Sequence, residues 1–161
     1  MTPYFVSIIT VNYNNCKGLK KTLDSIKIQT SKDFEWIVID GGSTDGSKEL
    51  LEQNAGIITY WVSEKDNGIY HAMNKGINVA KGDYLQFLNS GDSLATPGII
   101  KRFCERNNTE DVIYSNAIIV DGNDHEVKKF RAPNFVKFSY FFGHALNHQA
   151  TFFSRRCFKD Y

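Results

Sequence analysis

Residues 6–15 have the sequence VSIITVNYNN, and this stretch decides the fold class. The first six residues are rich in β-branched side chains and place apolar groups on both faces, which is typical of a strand buried inside a parallel sheet. Polar residues follow at once, from Asn12 to Asn15. The stretch therefore predicts an inner strand whose carboxyl end leads into a polar loop.

Strands and helices alternate outward from this stretch. A second buried strand is predicted at residues 36–39 (WIVI), and Leu19, Leu23 and Ile26 recur at helical spacing between the two strands. The alternation continues with a short helix, a strand, a longer helix and a further strand, near residues 48–53, 57–63, 69–80 and 84–88. This order predicts an α/β fold in which helices flank a mostly parallel, Rossmann-like sheet.

The longer helix carries the clearest helical pattern in the chain. Its apolar residues fall on one stripe, formed by Ile69, Ala72, Met73, Ile77 and Ala80. A stripe of this kind is typical of a helix that packs on a core. Gly82 follows in the position expected for a glycine that ends a helix.

The pattern changes after residue 92. Thr96 and Pro97 are suited to be the N-cap and first residue of a helix over residues 97–106. Shorter strands are expected at residues 112–114, 117–120 and 126–130, with a hairpin turn at 121–123. An aromatic stretch follows at residues 135–142. We therefore expect a small antiparallel extension of the sheet.

The composition restricts the class of protein. The 161 residues are 42% AVILMFWYC and 23% charged, with a formal net charge of +1, as in one compact soluble domain. The absence of a basic block argues against a nucleic-acid partner. No apolar run approaches the roughly 20 residues that span a bilayer. We expect a cytoplasmic protein, at most peripheral to the inner face of a membrane.

Cys16, Cys104 and Cys157 lack metal or redox spacing and are expected to be reduced.

Polar residues follow four of the predicted strands. They occupy residues 12–15, 40–45, 64–68 and 89–92. Ligands of open α/β sheets bind outside the carboxyl ends of the strands, so the four groups together predict a ligand site at one edge of the sheet. Each group alone also fits a structural role as a helix cap, a turn or a strand exit.

Three of these segments carry a family resemblance. VSIITVNYNN, QTSKDFEWIVIDGGSTDGS and SEKDNGIYHAMNKGINVAKGDYLQFLNSGD resemble successive segments of the glycosyltransferase family 2 domain of GT-A fold. The resemblance covers residues 4–100 and extends through NHQATFF towards residue 157. It implies transfer of a sugar, with inversion, from a nucleoside diphosphate sugar to a saccharide or lipid-linked acceptor in surface polysaccharide synthesis. It also implies a divalent cation, Mg²⁺ or Mn²⁺.

The resemblance assigns site residues position by position. Val11 and Tyr13 would border the nucleobase, with Asp40 near base and ribose. Asp66, Gly68 and Lys75 match the segment that closes over the ribose and diphosphate. The stretch LNSGD, residues 88–92, matches the acidic metal motif of the family. The match assigns donor contacts to Asn89 and Ser90, and it assigns the metal ligand to Asp92.

Two departures from the family pattern bear on this site. The metal motif is most often LDxDD, whereas here Asn89 and Gly91 replace two acids, and Asp92 remains as the carboxylate ligand. The family often has a second acid that pairs with uracil in the segment DDxS, and Gly41 stands at that place. A uridine donor is therefore not implied for this chain.

His148 has three open interpretations in the sequence. It matches the family segment at the far side of the donor site, where it would approach the diphosphate or the metal. A satisfied structural histidine fits the pattern equally well. Pairing with His144 as two metal ligands is a third reading, but no glutamate accompanies them as in HExxH.

The domain organisation follows from the same resemblance. We expect one GT-A domain over residues 1–161, with residues 1–92 as the donor nucleotide half and 93–161 as the start of an incomplete acceptor half. No catalytic base can be named, and we expect it beyond Tyr161. Two alternatives stay open: a non-catalytic nucleotide-sugar-binding module or truncated fragment, and a nucleotidyltransferase with a similar sheet.

Overall fold

The computed structural model describes residues 5–131 and 147–158. The aromatic stretch at 135–142 and His144 lie outside these residues. The strands are β1 (Val6–Asn12), β2 (Phe34–Asp40), β3 (Tyr60–Ser63), β4 (Tyr84–Phe87), β5 (Val112–Tyr114), β6 (Ala117–Val120), β7 (Glu126–Phe130) and β8 (Thr151–Ser154). The α-helices are α1 (Cys16–Lys27), α2 (Ser47–Gln53), α3 (Ile69–Val79) and α4 (Ile99–Glu105), and 3₁₀ turns cover His148–Ala150 and Arg155–Phe158.

Six strands form one sheet in the order β3-β2-β1-β4-β8-β5. β1 pairs in parallel with β2 and β4, and β2 pairs in parallel with β3. β8 runs antiparallel to both β4 and β5. β6 and β7 form a separate antiparallel hairpin. The predicted fold class, a mostly parallel sheet flanked by helices with a small antiparallel extension, is confirmed.

A hydrophobic cluster covers each face of the sheet. On one face, Ile8 packs in a cluster with Leu23 of α1, Leu51 of α2 and Phe103 of α4. On the other, Ile9 and Leu85 pack in a cluster with Ala72 of α3. The alternation of side chains along β1 sends neighbouring residues to opposite cores, which explains why its apolar run covers both faces.

Helix α4 begins later than the sequence predicts. The expected N-cap, Thr96, does not cap it: the helix starts at Ile99, and Gly98 precedes it without a side-chain cap. The Thr96 carbonyl accepts instead from Gln29 Nε2 at 3.0 Å. The expected cap is absent because the Thr96 hydroxyl accepts from Arg102 Nη2 at 3.0 Å instead of from a backbone amide at the start of the helix.

Gly82 does not end α3 as a left-handed cap. The helix ends at Val79, and the next residue, Ala80, is extended. A Cβ atom at Gly82 would lie 2.6 Å from the backbone nitrogen of Ser7, so the glycine is required by close packing against the entry to β1. Gly82 N also donates to Ser7 Oγ at 2.8 Å.

Strand β8 is absent from the sequence-based expectations. Residues 151–154 insert antiparallel between β4 and β5, and Phe152 stacks on Phe103 with ring centroids 3.9 Å apart. A 3₁₀ turn over Arg155–Phe158 follows β8. Cys16, Cys104 and Cys157 are free thiols. Within the residues described, no helix has the length and apolar character needed to cross a membrane.

Candidate functional site

Loops at the carboxyl ends of the first four strands surround a cavity of about 680 Å³. The order of strands along the sheet reverses at β1, which lies between β2 and β4. In open α/β sheets a ligand-binding crevice forms at such a reversal. The lining residues come from all four strand exits: Val11, Asn12, Tyr13, Asn15, Gly41, Gly42, Lys65, Asp66, Gly68, Ile69, Ala72, Asn89 and Ser90. The volume lies within the roughly 300–1,000 Å³ typical of small-molecule sites.

The loops after β1 and β4 are hydrogen-bonded to each other. Asn15 Oδ1 caps α1 by accepting from Gly18 N at 3.1 Å, while Asn15 Nδ2 donates to the Ser90 carbonyl at 3.1 Å. Ser90 Oγ donates in return to the Asn15 carbonyl at 3.2 Å. One helix cap therefore also fixes the position of Ser90 at the wall of the cavity.

Asp45 joins the loop after β2 to the start of α1. Its carboxylate accepts from Ser47 Oγ at 2.6 Å, Ser47 N at 3.1 Å and Cys16 N at 2.7 Å, so it binds the first backbone amide of both α2 and α1. The hydrogen bond from Ser47 is the main reason why the pKa of Asp45 lies below its usual value. The helix-cap interpretation of this segment is correct, and the cap also holds two cavity loops together.

Asp40 lies behind the cavity rather than in it. Its side chain is 0% exposed. The carboxylate accepts from Asn12 Nδ2 at 2.7 Å, Ser43 N at 2.9 Å, Ser43 Oγ at 2.5 Å and Ser63 Oγ at 2.6 Å. Burial acts to raise the pKa of Asp40, but these hydrogen bonds outweigh it and the pKa lies below its usual value. The structure thus gives Asp40 protein partners where the sequence predicted a direct nucleoside contact.

Asp66 and Gly68 form the wall contributed by the loop after β3. Asp66 Oδ1 accepts from Gly68 N at 2.8 Å, an Asx turn that leads into α3. Gly68 has φ +105, a left-handed conformation that favours glycine. Both residues line the cavity, as does Ile69, which is 50% exposed and does not join the buried part of the α3 stripe.

Lys75 is not among the residues that line the cavity. Its Nζ lies 2.6 Å from Glu64 Oε1, and the hydrogen bond from Lys75 is the main reason why the pKa of Glu64 lies below its usual value. The cationic side chain that does line the cavity is Lys65, a residue that the sequence reasoning did not assign. Lys65 could have been selected because it lies in the polar segment 64–68, which follows a predicted strand.

Asp92 lies beyond Ser90 with a different set of neighbours. Its amide donates to the Asn89 carbonyl at 2.9 Å, and Asn89 Nδ2 lies 3.3 Å from His148 Nε2. Burial raises the pKa of Asp92, although a hydrogen bond with Gln149 and the nearby His148 act in the opposite direction. Asp92 and His148 therefore flank the same end of the site.

The described residues offer few side chains that could bind a metal ion at this site. Within residues 5–131 and 147–158, no three His, Cys, Asp or Glu side chains come together as a metal cluster would require. A cation at this edge would therefore depend on Asp92 and on oxygen atoms of a ligand. The pairing of His144 with His148 falls outside the described residues.

The structure brings six of the eight predicted donor-binding residues to the cavity: Val11, Tyr13, Asp66, Gly68, Asn89 and Ser90. The other two, Asp40 and Lys75, bind protein groups. Sequence reasoning did not select Asn15 or Ile69, although Asn15 lay in the polar segment it had singled out after β1.

A comparison with known protein families identifies the family of this chain. The family model described as "Glycosyl transferase family 2" matches residues 7–158. The chain belongs to glycosyltransferase family 2. A PGL/p-HBAD biosynthesis glycosyltransferase of Mycobacterium tuberculosis is 32% identical over 158 residues, covering 94% of this chain and 60% of the relative. The chain spans between 38% and 60% of the length of the first curated relatives it matches.

Solved structures with a similar fold were also found. Residues 1–349 of S. aureus TarS in complex with UDP-GlcNAc give a TM-score of 0.66 at 17% identity, covering 97% of this chain and 47% of that one. The mannosyltransferase PcManGT from Pyrobaculum calidifontis, in complex with GDP-Man and Mn²⁺, gives 0.60 at 20% identity, covering 74% and 36%. The GT-A fold that the sequence predicts is thereby confirmed.

Proposed function

We propose that this chain binds the nucleoside diphosphate sugar of a family 2 glycosyltransferase in the 680 Å³ cavity. The sugar would be transferred, with inversion, to a saccharide or lipid-linked acceptor. The observation that supports this most strongly is the position of the cavity at the strand-order reversal, with six independently predicted donor-binding residues on its walls.

Each wall has a chemical role in this proposal. Tyr13 is 68% exposed and offers a flat aromatic surface on which a nucleobase can stack. Gly41 and Gly42 line the cavity beside it. The loop that carries Asn89 and Ser90 would face the diphosphate. Asp40 supports this binding indirectly, because its hydrogen bonds hold the loop after β2.

A divalent cation, Mg²⁺ or Mn²⁺, belongs to the proposal. Asp92 fits such an ion, because its carboxylate is a hard oxygen ligand and burial raises its pKa, a penalty that a neighbouring cation would offset. Asp92 would hold the cation together with phosphate oxygens of the donor. When bound, the ion would stabilise negative charge on the departing nucleoside diphosphate.

The proposal also covers the acceptor and the division of the chain into halves. The relative named for PGL/p-HBAD biosynthesis supports a glycolipid or other surface glycan as the product class. We propose that residues 1–92 bind the donor, since all the residues that line the cavity belong to them. Residues 93–161 would then begin the acceptor side.

Calorimetric titration tests the proposed function. The chain is titrated with UDP, GDP, ADP and CDP, each in MnCl₂ and again in EDTA, with thermal melting as a control for folding. We expect at least one nucleoside diphosphate to bind, and to bind more weakly in EDTA. No binding of any nucleotide to folded protein would contradict the proposal. Metal-dependent binding without any turnover of the matching sugar nucleotide would favour the non-catalytic module.

A further inference from the structure

An aromatic ring and a carboxylate oxygen meet beside Gly41. A Cβ atom at Gly41 would lie 2.9 Å from Asp66 Oδ2 and 3.1 Å from Tyr13 Cδ2. Any side chain at position 41 would therefore have to displace one of these groups. The space beside the end of β2 is occupied by a carboxylate that comes from the loop after β3.

The two oxygens of Asp66 have different surroundings. Oδ1 is held by Gly68 N at 2.8 Å, which fixes the orientation of the carboxylate. Oδ2 points towards Gly41, and no donor among the described residues lies within hydrogen-bond distance of it. The Asx turn thus explains one oxygen and leaves the other available as an acceptor at the wall of the cavity.

Resting on the proposed function, we propose that Asp66 Oδ2 accepts the ring N–H of a nucleobase stacked on Tyr13. Uracil, thymine and guanine carry a proton on that ring nitrogen, whereas cytosine and adenine present a bare acceptor nitrogen. A fixed carboxylate attracts the first group and repels the lone pair of the second. Asp66 is then the residue that determines base specificity, and the donor carries uracil, thymine or guanine.

The replacement Asp66→Asn is the informative variant. Gly68 N–H keeps the remaining oxygen as its acceptor, so the new NH₂ group takes the place of Oδ2 and turns an acceptor into a donor. Asp24→Asn is the matched control, because it makes the same chemical change on the exposed face of α1, where Asp24 pairs with Lys20 at 2.9 Å.

The test measures dissociation constants of UDP, GDP, CDP and ADP for the parent and both variants. In the parent, UDP or GDP should bind at least about ten-fold more tightly than CDP and ADP, as expected for a hydrogen bond to a charged group. Asp66→Asn should reduce or reverse that ratio, and Asp24→Asn should leave it unchanged. On the parent itself, N3-methyl-UDP or N1-methyl-GDP should bind roughly ten-fold more weakly than its unmethylated counterpart.

The outcomes separate this inference from the proposed function. A parent that prefers CDP or ADP, or a ratio that Asp66→Asn does not change, would overturn the role of Asp66 while leaving nucleotide binding in place. A loss in Asp66→Asn that disappears with 2′-deoxy-UDP would assign the contact to the ribose and overturn it as well. No binding of any nucleotide to the parent would overturn both. If Asp66→Asn does not fold, the methylated nucleotides decide on the parent alone.

Discussion

At the scale of single residues, two acids at the carboxyl-terminal edge of the sheet have pKa values shifted in opposite directions. The pKa of Asp40 is lowered because four hydrogen bonds outweigh its burial. The pKa of Asp92 is raised because burial outweighs its hydrogen bonds. The hydrogen bonds that stabilise the charged form of Asp40 suit it to a structural role. Asp92 lacks enough of them to offset its burial, which suits its carboxylate to bind a cation.

Asp92→Asn should have opposite effects on stability and on binding. Because the pKa of Asp92 is raised, its ionisation opposes folding, and this penalty appears as pH rises through the folded-state pKa. In EDTA at pH 7 the variant should therefore melt at a temperature equal to or above that of the parent. Mn²⁺-dependent affinity for a nucleoside diphosphate should fall by roughly ten-fold or more. Unchanged affinity with Mn²⁺ would remove Asp92 from the metal site.

Asp40→Asn should destabilise the fold together with the cavity. The lowered pKa means that the Asp40 carboxylate stabilises the protein above its unfolded-state pKa, and that this contribution is lost as pH falls through the folded-state value. Replacing the buried acceptor should cost about 2 kcal/mol or more of unfolding free energy at pH 7, measured by urea denaturation. Ser63→Ala, which removes one of the four donors, should cost less. Equal stability of Asp40→Asn and parent would contradict the network described here.

At the scale of elements, α3 connects the core to the cavity. Its first turn follows Gly68 at the cavity wall, and its middle packs so closely on β1 that a Cβ atom at Gly76 would lie 2.5 Å from Ile9 Cγ2. The helical pattern predicts the element but gives no indication of this contact. The position of the loop that carries Asp66 therefore depends on how closely α3 approaches the sheet.

Gly76→Ala should destabilise the protein although alanine favours helices. The extra methyl group in a packed interface costs about 1–3 kcal/mol, against a gain of roughly 1 kcal/mol from helix propensity. The control is Gly56→Ala, since a Cβ atom there meets nothing within 4 Å and its φ is not positive. Denaturation midpoints should fall for Gly76→Ala and stay level or rise for Gly56→Ala. A more stable Gly76→Ala would show that α3 can move away from β1 without cost.

At the scale of the whole molecule, the sequence predicts the first half of the fold better than the second. Up to β4, every element has a local periodic pattern, and the first three strands lie side by side in chain order. β8 escapes prediction because its four residues pair with β4, about 70 positions earlier, so nothing in TFFS alone indicates a strand between β4 and β5.

The sequence also predicts only part of the candidate site. Residues at strand exits could be placed at the cavity because parallel strands end at one edge. The burial of Asp40 and the pairing of Lys75 with Glu64 could not be predicted, because both depend on contacts between parts of the chain that the sequence pattern treats separately. The approach of Asp66 to Gly41 has the same origin, and motif matching assigns Asp66 to the ribose and diphosphate instead.

The central claim is that the cavity at the carboxyl ends of β1, β2, β3 and β4 binds a nucleoside diphosphate. Backbone amide chemical shifts of the ¹⁵N-labelled chain test it most directly, with the preferred nucleotide and Mg²⁺ added stepwise. The largest shifts should fall on Tyr13, Asn15, Gly41, Gly68 and Ser90. A second cavity of about 440 Å³, lined by Phe5, Tyr84 and Arg156 among others, serves as the internal control and should stay unchanged. Shifts confined to that second cavity, or absent from Tyr13 and Gly41 at saturation, would contradict the claim.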